Sequence, residues 1–277
     1  MQIFLRLAAP PVISAMNNIV RSATSVTLSV WKALFLREAA SRLATGRAAW
    51  LWLLLEPLAH VTMLMVLFST IRTRSVQGAD FALFLALGVL GFHLFKNAAM
   101  RSMEAVSANA ALFAYRQVKP VDAVLVRAAL EGVIQLFIGV LLLAGASLFG
   151  FEVLPHDPLG VLVAFVLLWI FGAGLGLILS VGTTLVPEIG KVAKLVFMPL
   201  YFLSGVMYSP AMLPPAARPW LLLNPLVHGM EALRAAFFPG YHRVSGVDLG
   251  YLATFALLSL LFGLALHVRF ATRMTAL

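Results

Sequence analysis

Long hydrophobic runs alternate along the chain with short polar stretches. Six of the runs are long enough to cross about 30 Å of hydrocarbon as helices that rise about 1.5 Å per residue. They lie near residues 50–71, 81–100, 124–149, 159–185, 195–212 and 250–268. The pattern predicts an all-α membrane protein, with a transmembrane domain of six helices over residues 50–277.

The residues before the first run follow a different pattern. Residues 1–25 contain Pro10-Pro11, which interrupts the apolar piece before it reaches the length of a signal-peptide core, so a cytosolic tail is predicted. In residues 26–49, apolar side chains share one helical face, and basic side chains lie where they reach lipid headgroups. This predicts an amphipathic helix in the cytoplasmic interface, and a solvated basic linker is the alternative.

The segment 213–240, between the last two runs, is apolar but interrupted by prolines. Asn224 and Pro225 form an N-cap followed by proline at the first helical position, and Pro239-Gly240 ends the helix. The pieces are too short to cross a bilayer, so two re-entrant or interfacial helices are predicted. The alternative is a seventh span, which would place the C-terminal tail outside, against the distribution of basic residues.

Composition and charge narrow the class further. Hydrophobic residues make up 62% of the 277 residues and charged residues 11%, whereas about a quarter of a globular domain is charged. Thirteen Lys and Arg residues lie in the N-terminal 49 residues, in 101–122, in 186–194 or in the C-terminal tail, and five lie in the other connections. Because basic residues concentrate on the cytoplasmic side, both termini are predicted to be cytoplasmic. The net charge of +9 therefore indicates topology and anionic lipid rather than nucleic acid.

Polar side chains inside three successive runs line up at helical spacing. A charge near the bilayer centre costs about 3 kcal/mol on insertion scales, so each one needs a partner, water or a role. The candidates for a polar substrate path are Arg37, Arg42, Arg47, Trp52, Glu56, His60, His93, Lys96, Asn97, Arg101, Arg127, Glu131, Tyr201 and Tyr208. The alternative is that Lys96 or Arg101 pairs with Glu104 or Glu131 and only holds the helices together.

The fourth and fifth runs carry two further patterns, one of small residues and one of tyrosines. Gly172, Gly176 and Ser180 recur every four positions in the fourth run, which lets helices approach closely. Tyr201 and Tyr208 either contact a sugar or anchor the fifth run at the lipid interface.

The sequence contains no cysteine and no GxxxxGK[ST], HExxH or GxSxG motif. We therefore predict no catalysis, metal site or cofactor in this chain, and uphill transport would need an ion gradient or a partner.

Three blocks of sequence resemble one family. "LREAASRLATGRAAWLWLLLEPLAH" is similar to the interface-helix-to-first-span signature of ABC-2 type permeases. "NAALFAYRQVKPVDAVLVRAALE" resembles the loop between spans two and three in the capsular-polysaccharide branch. "LSGVMY" and "LLLNPLVHGMEALRAAFF" resemble the fifth span and re-entrant segment of the same KpsM-type subunits. The resemblance covers residues 28–240, and the first 25 residues match none of these motifs.

The resemblance implies the permease subunit of an ATP-driven exporter of lipid-linked acidic capsular polysaccharide in the inner membrane. Such a subunit acts as a homodimer with two copies of a separate ABC ATPase, which binds the ATP. It works with a periplasmic co-polymerase-type adaptor and an outer-membrane polysaccharide export protein.

A coupling helix within 104–119 is also implied by the resemblance. The residues carried over to it are Asn109, Leu112, Phe113, Tyr115, Gln117, Lys119 and Pro120. From the residues themselves, Val106, Ala110 and Phe113 form an apolar stripe suited to docking in a groove of the ATPase. A helix that merely lies on the membrane is the alternative.

Three other functions are alternatives. An ABC-2 exporter of another lipid or small molecule would have the same spans. A proton-coupled secondary carrier would use Glu56, His60 and Glu131, but the chain shows no internal repeat of the kind common in such carriers. A membrane-embedded glycosyltransferase would need a metal or nucleotide-sugar site, which the sequence does not supply.

Overall fold

The computed structural model of the protein describes residues 23–44, 49–69, 75–76, 78–115 and 117–275. Residues 1–22 of the predicted tail and Arg47 lie outside these ranges. In the described ranges the α-helices are α1 (Ala23–Ala44), α2 (Ala49–Ser69), α3 (Phe81–Met103), α4 (Ala105–Ala108), α5 (Pro120–Leu148), α6 (Pro158–Leu185), α7 (Glu188–Leu203), α8 (Arg218–Leu221), α9 (Pro225–Phe237), α10 (Leu249–Arg269) and α11 (Ala271–Thr275). Two strands, β1 (Ser75–Val76) and β2 (Ala79–Asp80), pair antiparallel between α2 and α3.

Among the described residues, four helices, α3, α5, α6 and α10, are long and apolar enough to cross a membrane. The first predicted run corresponds to α2, which has 21 residues. The fifth run differs from its prediction at 195–212, because α7 begins at Glu188 and ends at Leu203. At about 1.5 Å per residue, the 16 residues of α7 extend about 24 Å, less than the hydrocarbon thickness. The chain then turns at Gly205, whose φ of +68° favours glycine.

Helix α6 lies at the centre of the bundle, and α3 and α10 pack against it most extensively. A β-carbon added at Gly172 would lie 2.5 Å from the carbonyl oxygen of Phe95. At Gly176 it would lie 2.5 Å from the β-carbon of Ser102. The close helix approach that the small residues predicted is therefore confirmed on the face towards α3.

The segment 213–240 forms two short helices, α8 and α9, joined by turns. The predicted N-cap of α9 is confirmed, since the Asn224 side chain accepts a hydrogen bond of 3.0 Å from the Leu226 N–H. Pro225 occupies the start of the helix, which ends at Phe237. The side chains of α9 are largely buried against α6, α3 and α10.

A buried polar network joins α9 to the turn that follows α7. Arg234 is 0% exposed, and its guanidinium donates to the carbonyl oxygens of Gly205 (2.8 Å) and Val206 (2.7 Å). Its Cζ atom lies 3.5 Å from the centroid of the Phe84 ring. Glu231, 3.4 Å from Arg234, also accepts a hydrogen bond of 2.9 Å from the Tyr241 hydroxyl. These two charges therefore have structural partners inside the fold.

Candidate functional site

A polar cavity of about 260 Å³ lies between α1, α2, α3 and α5. Seven residues of the predicted path line it: Arg42, Glu56, His93, Lys96, Asn97, Arg101 and Glu131. They meet because the four-residue spacing puts the polar groups of each helix on one face, and the three faces converge. The structure thus brings together half of the predicted path residues in one site.

Some of the charged side chains around this cavity form salt bridges, and others do not. Arg42 forms a salt bridge with Glu131. Glu104, the other partner considered for the cations, pairs with Lys194 of α7 at 2.8 Å. Among the described residues, no carboxylate lies within 4.0 Å of Lys96 or Arg101, so the ion-pair alternative does not describe these two cations. Their charges face the cavity and are available to an anionic ligand.

Two histidines and a tyrosine connect three helices beside the cavity. His60 Nε2 of α2 lies 2.9 Å from the Tyr201 hydroxyl of α7. The rings of His60 and His93 are 5.5 Å apart between centroids, and Phe92 meets the Tyr201 ring edge-on at 5.0 Å. Tyr201 is therefore held by protein contacts next to the cavity, although it does not line it.

Other predicted path residues lie elsewhere. Trp52 is 66% exposed and does not line the cavity. Tyr208 donates a hydrogen bond of 3.0 Å to the Phe202 carbonyl oxygen and lines a different pocket, beside Trp220. Arg37 and Arg127 belong to a cluster of hydrogen bonds between α1, α5 and Asn109.

That cluster attaches α1 to α5, and we call it the α1–α5 clamp. Its three contacts are Trp31 Nε1 to Asp122 at 2.8 Å, Arg127 to both carboxylate oxygens of Glu38 at 3.0 and 3.1 Å, and Arg42 to Glu131. The order of the contacts is the same along both helices, so α1 runs beside the beginning of α5 in the same direction. A helix, α1 (Ala23–Ala44), is therefore present where the interface helix was predicted over 26–49, and side-chain contacts fix it to α5. Its place at the membrane interface stays a prediction.

The predicted coupling helix is divided in the structure. It consists of α4 and a 3-10 helix, Ala110–Ala114, with Asn109 between them. Asn109 is buried, and its amide donates to Glu38 at 3.2 Å and to the Ala105 carbonyl oxygen at 2.8 Å. It also accepts a hydrogen bond from Arg37, so the clamp extends into this segment.

The predicted docking stripe is only partly on the surface, because Ala110 is exposed while Val106 and Phe113 face inward. Val106 is 1% exposed and, with the half-buried Phe113, packs against the protein's own core rather than an outside surface. Leu112 is also half-buried, and Pro120 is buried at the start of α5. The exposed candidates of this segment are Tyr115, which is 67% exposed, Gln117 and Lys119.

Glu38, Trp31 and Asp122 were missed as clamp residues by sequence reasoning. Glu38 did carry a signal, because it is the only acidic residue among the first 55 and follows several basic ones. Burial alone would raise the pKa of Glu38, but the hydrogen bonds and charge of Arg127, with Asn109 and Arg37, outweigh burial and hold the pKa below its usual range. Glu38 is thus the charged centre of the clamp.

Replacing Glu38 by glutamine is expected to loosen α1 from α5. The change removes the charge that Arg127 and Asn109 share, and hydrogen bonds to charged groups contribute about 1.5–3 kcal/mol each. Since the sequence has no cysteine, a single cysteine at the buried Leu34 reports docking through its rate of maleimide labelling. We expect faster labelling in the variant. Relative to a free thiol at the same pH, labelling of the protein with Glu38 should also become faster as the pH falls through the lowered pKa of this carboxyl.

The matched control is Glu188→Gln, which changes an exposed carboxylate at the start of α7 and leaves the clamp intact. Equal labelling rates in the Glu38 and Glu188 variants would show that the clamp does not hold α1.

Apolar helices long enough to cross a membrane, with a polar cavity between them, define a multi-pass membrane protein of the transport-subunit class. Residues 29–238 match the family described as ABC-2 type transporter, and the chain belongs to this family. The resemblance seen in the sequence blocks is confirmed.

Relatives from three organisms are similar over most of the chain. The polysialic acid transport protein KpsM of Escherichia coli is 39% identical over 249 residues, which cover 89% of this chain and 95% of the relative. The capsule polysaccharide export inner-membrane protein CtrC of Neisseria meningitidis is 29% identical and covers 86% and 90% of the two chains. The capsule polysaccharide export inner-membrane protein BexB of Haemophilus influenzae is 28% identical and covers 87% and 91%.

Proposed function

We propose that the protein is the permease subunit of an ATP-driven exporter that moves lipid-linked acidic capsular polysaccharide across the inner membrane. The observation that carries the proposal is the polar cavity, in which Lys96 and Arg101 lack a carboxylate partner among the described residues. An acidic sugar or phosphate supplies the anion that two such cations favour. The names of KpsM, CtrC and BexB support the same cargo class, and those of CtrC and BexB support the inner-membrane location.

The energy source in this proposal is a separate ATPase, present in two copies, because the sequence contains no phosphate-loop motif. The exposed side chains of Tyr115, Gln117 and Lys119 form the part of the coupling segment that contacts the ATPase. Asn109, Leu112, Phe113 and Pro120 support that segment from the inside.

The proposed topology has six spans, formed by α2, α3, α5, α6, α7 and α10, with both termini in the cytoplasm. Basic residues at the start of α7 (Lys191, Lys194) and around the end of α10 (Arg269, Arg273) support this orientation. Segment 213–240 then faces the periplasm as a re-entrant element, towards the adaptor and the outer-membrane export protein. Six spans are few for a polysaccharide path, so two copies share it as a two-fold homodimer.

The proposed mechanism follows from the clamp. Closure of the two ATPase subunits on ATP pushes the coupling segments, and the bonds from Asn109 to Glu38 and from Glu38 to Arg127 pass this movement to α1 and α5. The two permease halves separate, and the anionic headgroup of the cargo enters from the cytoplasmic leaflet past Arg37, Arg42 and Arg47. Lys96 and Arg101 then hold the anion in the path.

The geometry does not favour the alternative function, a proton-coupled carrier. Its three titratable groups were Glu56, His60 and Glu131. Glu131 is paired with Arg42 and His60 bonds to Tyr201, so these two groups serve structural contacts.

Alanine at both Lys96 and Arg101 is expected to lower capsule export about tenfold or more, because two charge-assisted contacts are lost. Surface capsule is measured in cells that produce the complete transporter, with the amount of the variant in the membrane quantified beside it. Arg243→Ala, an exposed arginine away from the cavity, is the control and should export normally. Normal export by the double variant at normal protein levels would contradict the assignment of the path.

A further inference from the structure

A second cavity, of about 380 Å³, lies between α2, α3 and α5 beyond the polar one. Apolar residues from all three helices line it, among them Val61, Leu83, Leu142 and Gly145, and Thr62 is the only polar side chain among the described lining residues. We call it the apolar groove. No part of the proposed function uses it.

The apolar groove continues the polar cavity along one face of α5. Ile138 lines both. From Glu131 to Phe149, which caps α5, the lining residues recur singly or in adjacent pairs every three to four positions, which is one helical face. The 18 steps from Glu131 to Phe149 extend about 27 Å at about 1.5 Å per residue, most of the hydrocarbon thickness. A single crevice therefore changes from charged to apolar along the membrane.

We propose that the apolar groove holds an acyl chain of the lipid anchor while its anionic headgroup lies against Lys96 and Arg101. The inference rests on the proposed function, since it assigns the lipid part of the same cargo. In an amphiphile with an anionic headgroup, the charge is followed by a hydrocarbon chain, which is the order found along the crevice. The length of such a molecule also suits a crevice that extends over most of the hydrocarbon thickness.

The benefit of such a groove is positioning. The bilayer is as apolar as the groove, so entry of the chain gains no hydrophobic free energy, only packing contacts. A chain held in the groove keeps its headgroup at a high effective concentration beside the cations. The groove therefore favours a lipid-linked anion over a free one.

Gly145 provides a way to fill the groove without disturbing the backbone. A β-carbon added at this position would meet no atom within 4 Å. Gly145→Trp therefore places an indole in the space proposed for the acyl chain. The matched control is Val140→Trp, on the same helix, where the side chain is exposed and lines neither cavity.

The test combines photolabelling with export in cells that carry the complete transporter. The probe is phosphatidylglycerol with a diazirine on its acyl chain, and labelled peptides are identified by mass spectrometry. We expect labels on the lining of the apolar groove, and a decrease of about tenfold or more in both labelling and capsule export for Gly145→Trp. Val140→Trp should change neither. Phosphatidylethanolamine with the same chain should label the groove less, because its headgroup carries no net charge.

Three results would overturn the inference. Labels outside the groove in the unmodified protein would exclude it as the acyl site. Equal labelling by the two lipids would contradict the headgroup assignment. Normal export by Gly145→Trp, despite lost labelling, would mean that the groove holds only bulk lipid.

Failure of this inference leaves the proposed function intact, because that function is tested separately by the Lys96 and Arg101 variants. If Gly145→Trp does not reach the membrane, Gly145→Leu occupies less of the same space. It is expected to reduce labelling and export in the same direction, and normal export by it would contradict the proposal.

Discussion

Replacing Arg234 by methionine is expected to eliminate most of the folded protein from the membrane. The guanidinium is fully buried and satisfies the carbonyl oxygens of Gly205 and Val206 as well as Glu231. Removing one member of a buried ion pair costs about 3–5 kcal/mol, since the remaining charge has no water to replace its partner. The measurement is the amount of monodisperse protein after extraction in detergent, together with its melting temperature.

The control for this change is Arg243→Met, which removes an exposed arginine and should leave the yield unchanged. Adding Glu231→Leu to Arg234→Met should recover part of the loss, because the unpaired carboxylate is removed as well. If Arg234→Met accumulates and melts like the unmodified protein, the network does not hold α9 in place.

Valine at Gly172 is expected to lower the free energy of unfolding by about 3 kcal/mol, at the upper end of the range for overpacked cores. Its β-carbon would lie 2.5 Å from the Phe95 carbonyl oxygen and 3.0 Å from the β-carbon of Ala98. The nearest of these atoms belongs to the backbone of α3, so relief requires α3 and α6 to separate. A decrease of roughly 6–12 °C in the melting temperature follows for a chain of this size.

Gly145→Val is the matched control, because it makes the same substitution in α5 at a position where the added atoms meet open space. Its melting temperature should stay near that of the unmodified protein. Similar decreases for both variants would indicate that helix propensity, rather than the approach of α3 to α6, sets the effect.

The polar cavity could be predicted from the sequence because helical periodicity is a local property. Glu56, Lys96 and Glu131 were placed on inward faces from spacing alone, and the structure brings them into one cavity. The start of α9 was predictable for the same reason, since Asn224 and Pro225 act on the adjacent backbone.

Two predictions failed where the answer depended on what lies opposite a helix. Val106 does lie on an apolar helical face, as predicted, but spacing does not show whether another protein or the same chain covers that face. The fifth helix was placed too late, because hydropathy extends past Leu203 into a turn that Gly205 and the Arg234 network create.

The sequence by itself determined that this protein is helical, crosses a membrane and aligns its polar groups, because these properties follow from the local hydrophobic period and from the cost of charge in hydrocarbon. Only the tertiary structure decided how the charges are paired. Glu38 and Arg127 are 89 residues apart, and no local pattern connects them until α1 lies against α5. Lys96 and Arg101 have no carboxylate partner among the described residues, since α1 brings Arg42 to Glu131 and α7 brings Lys194 to Glu104.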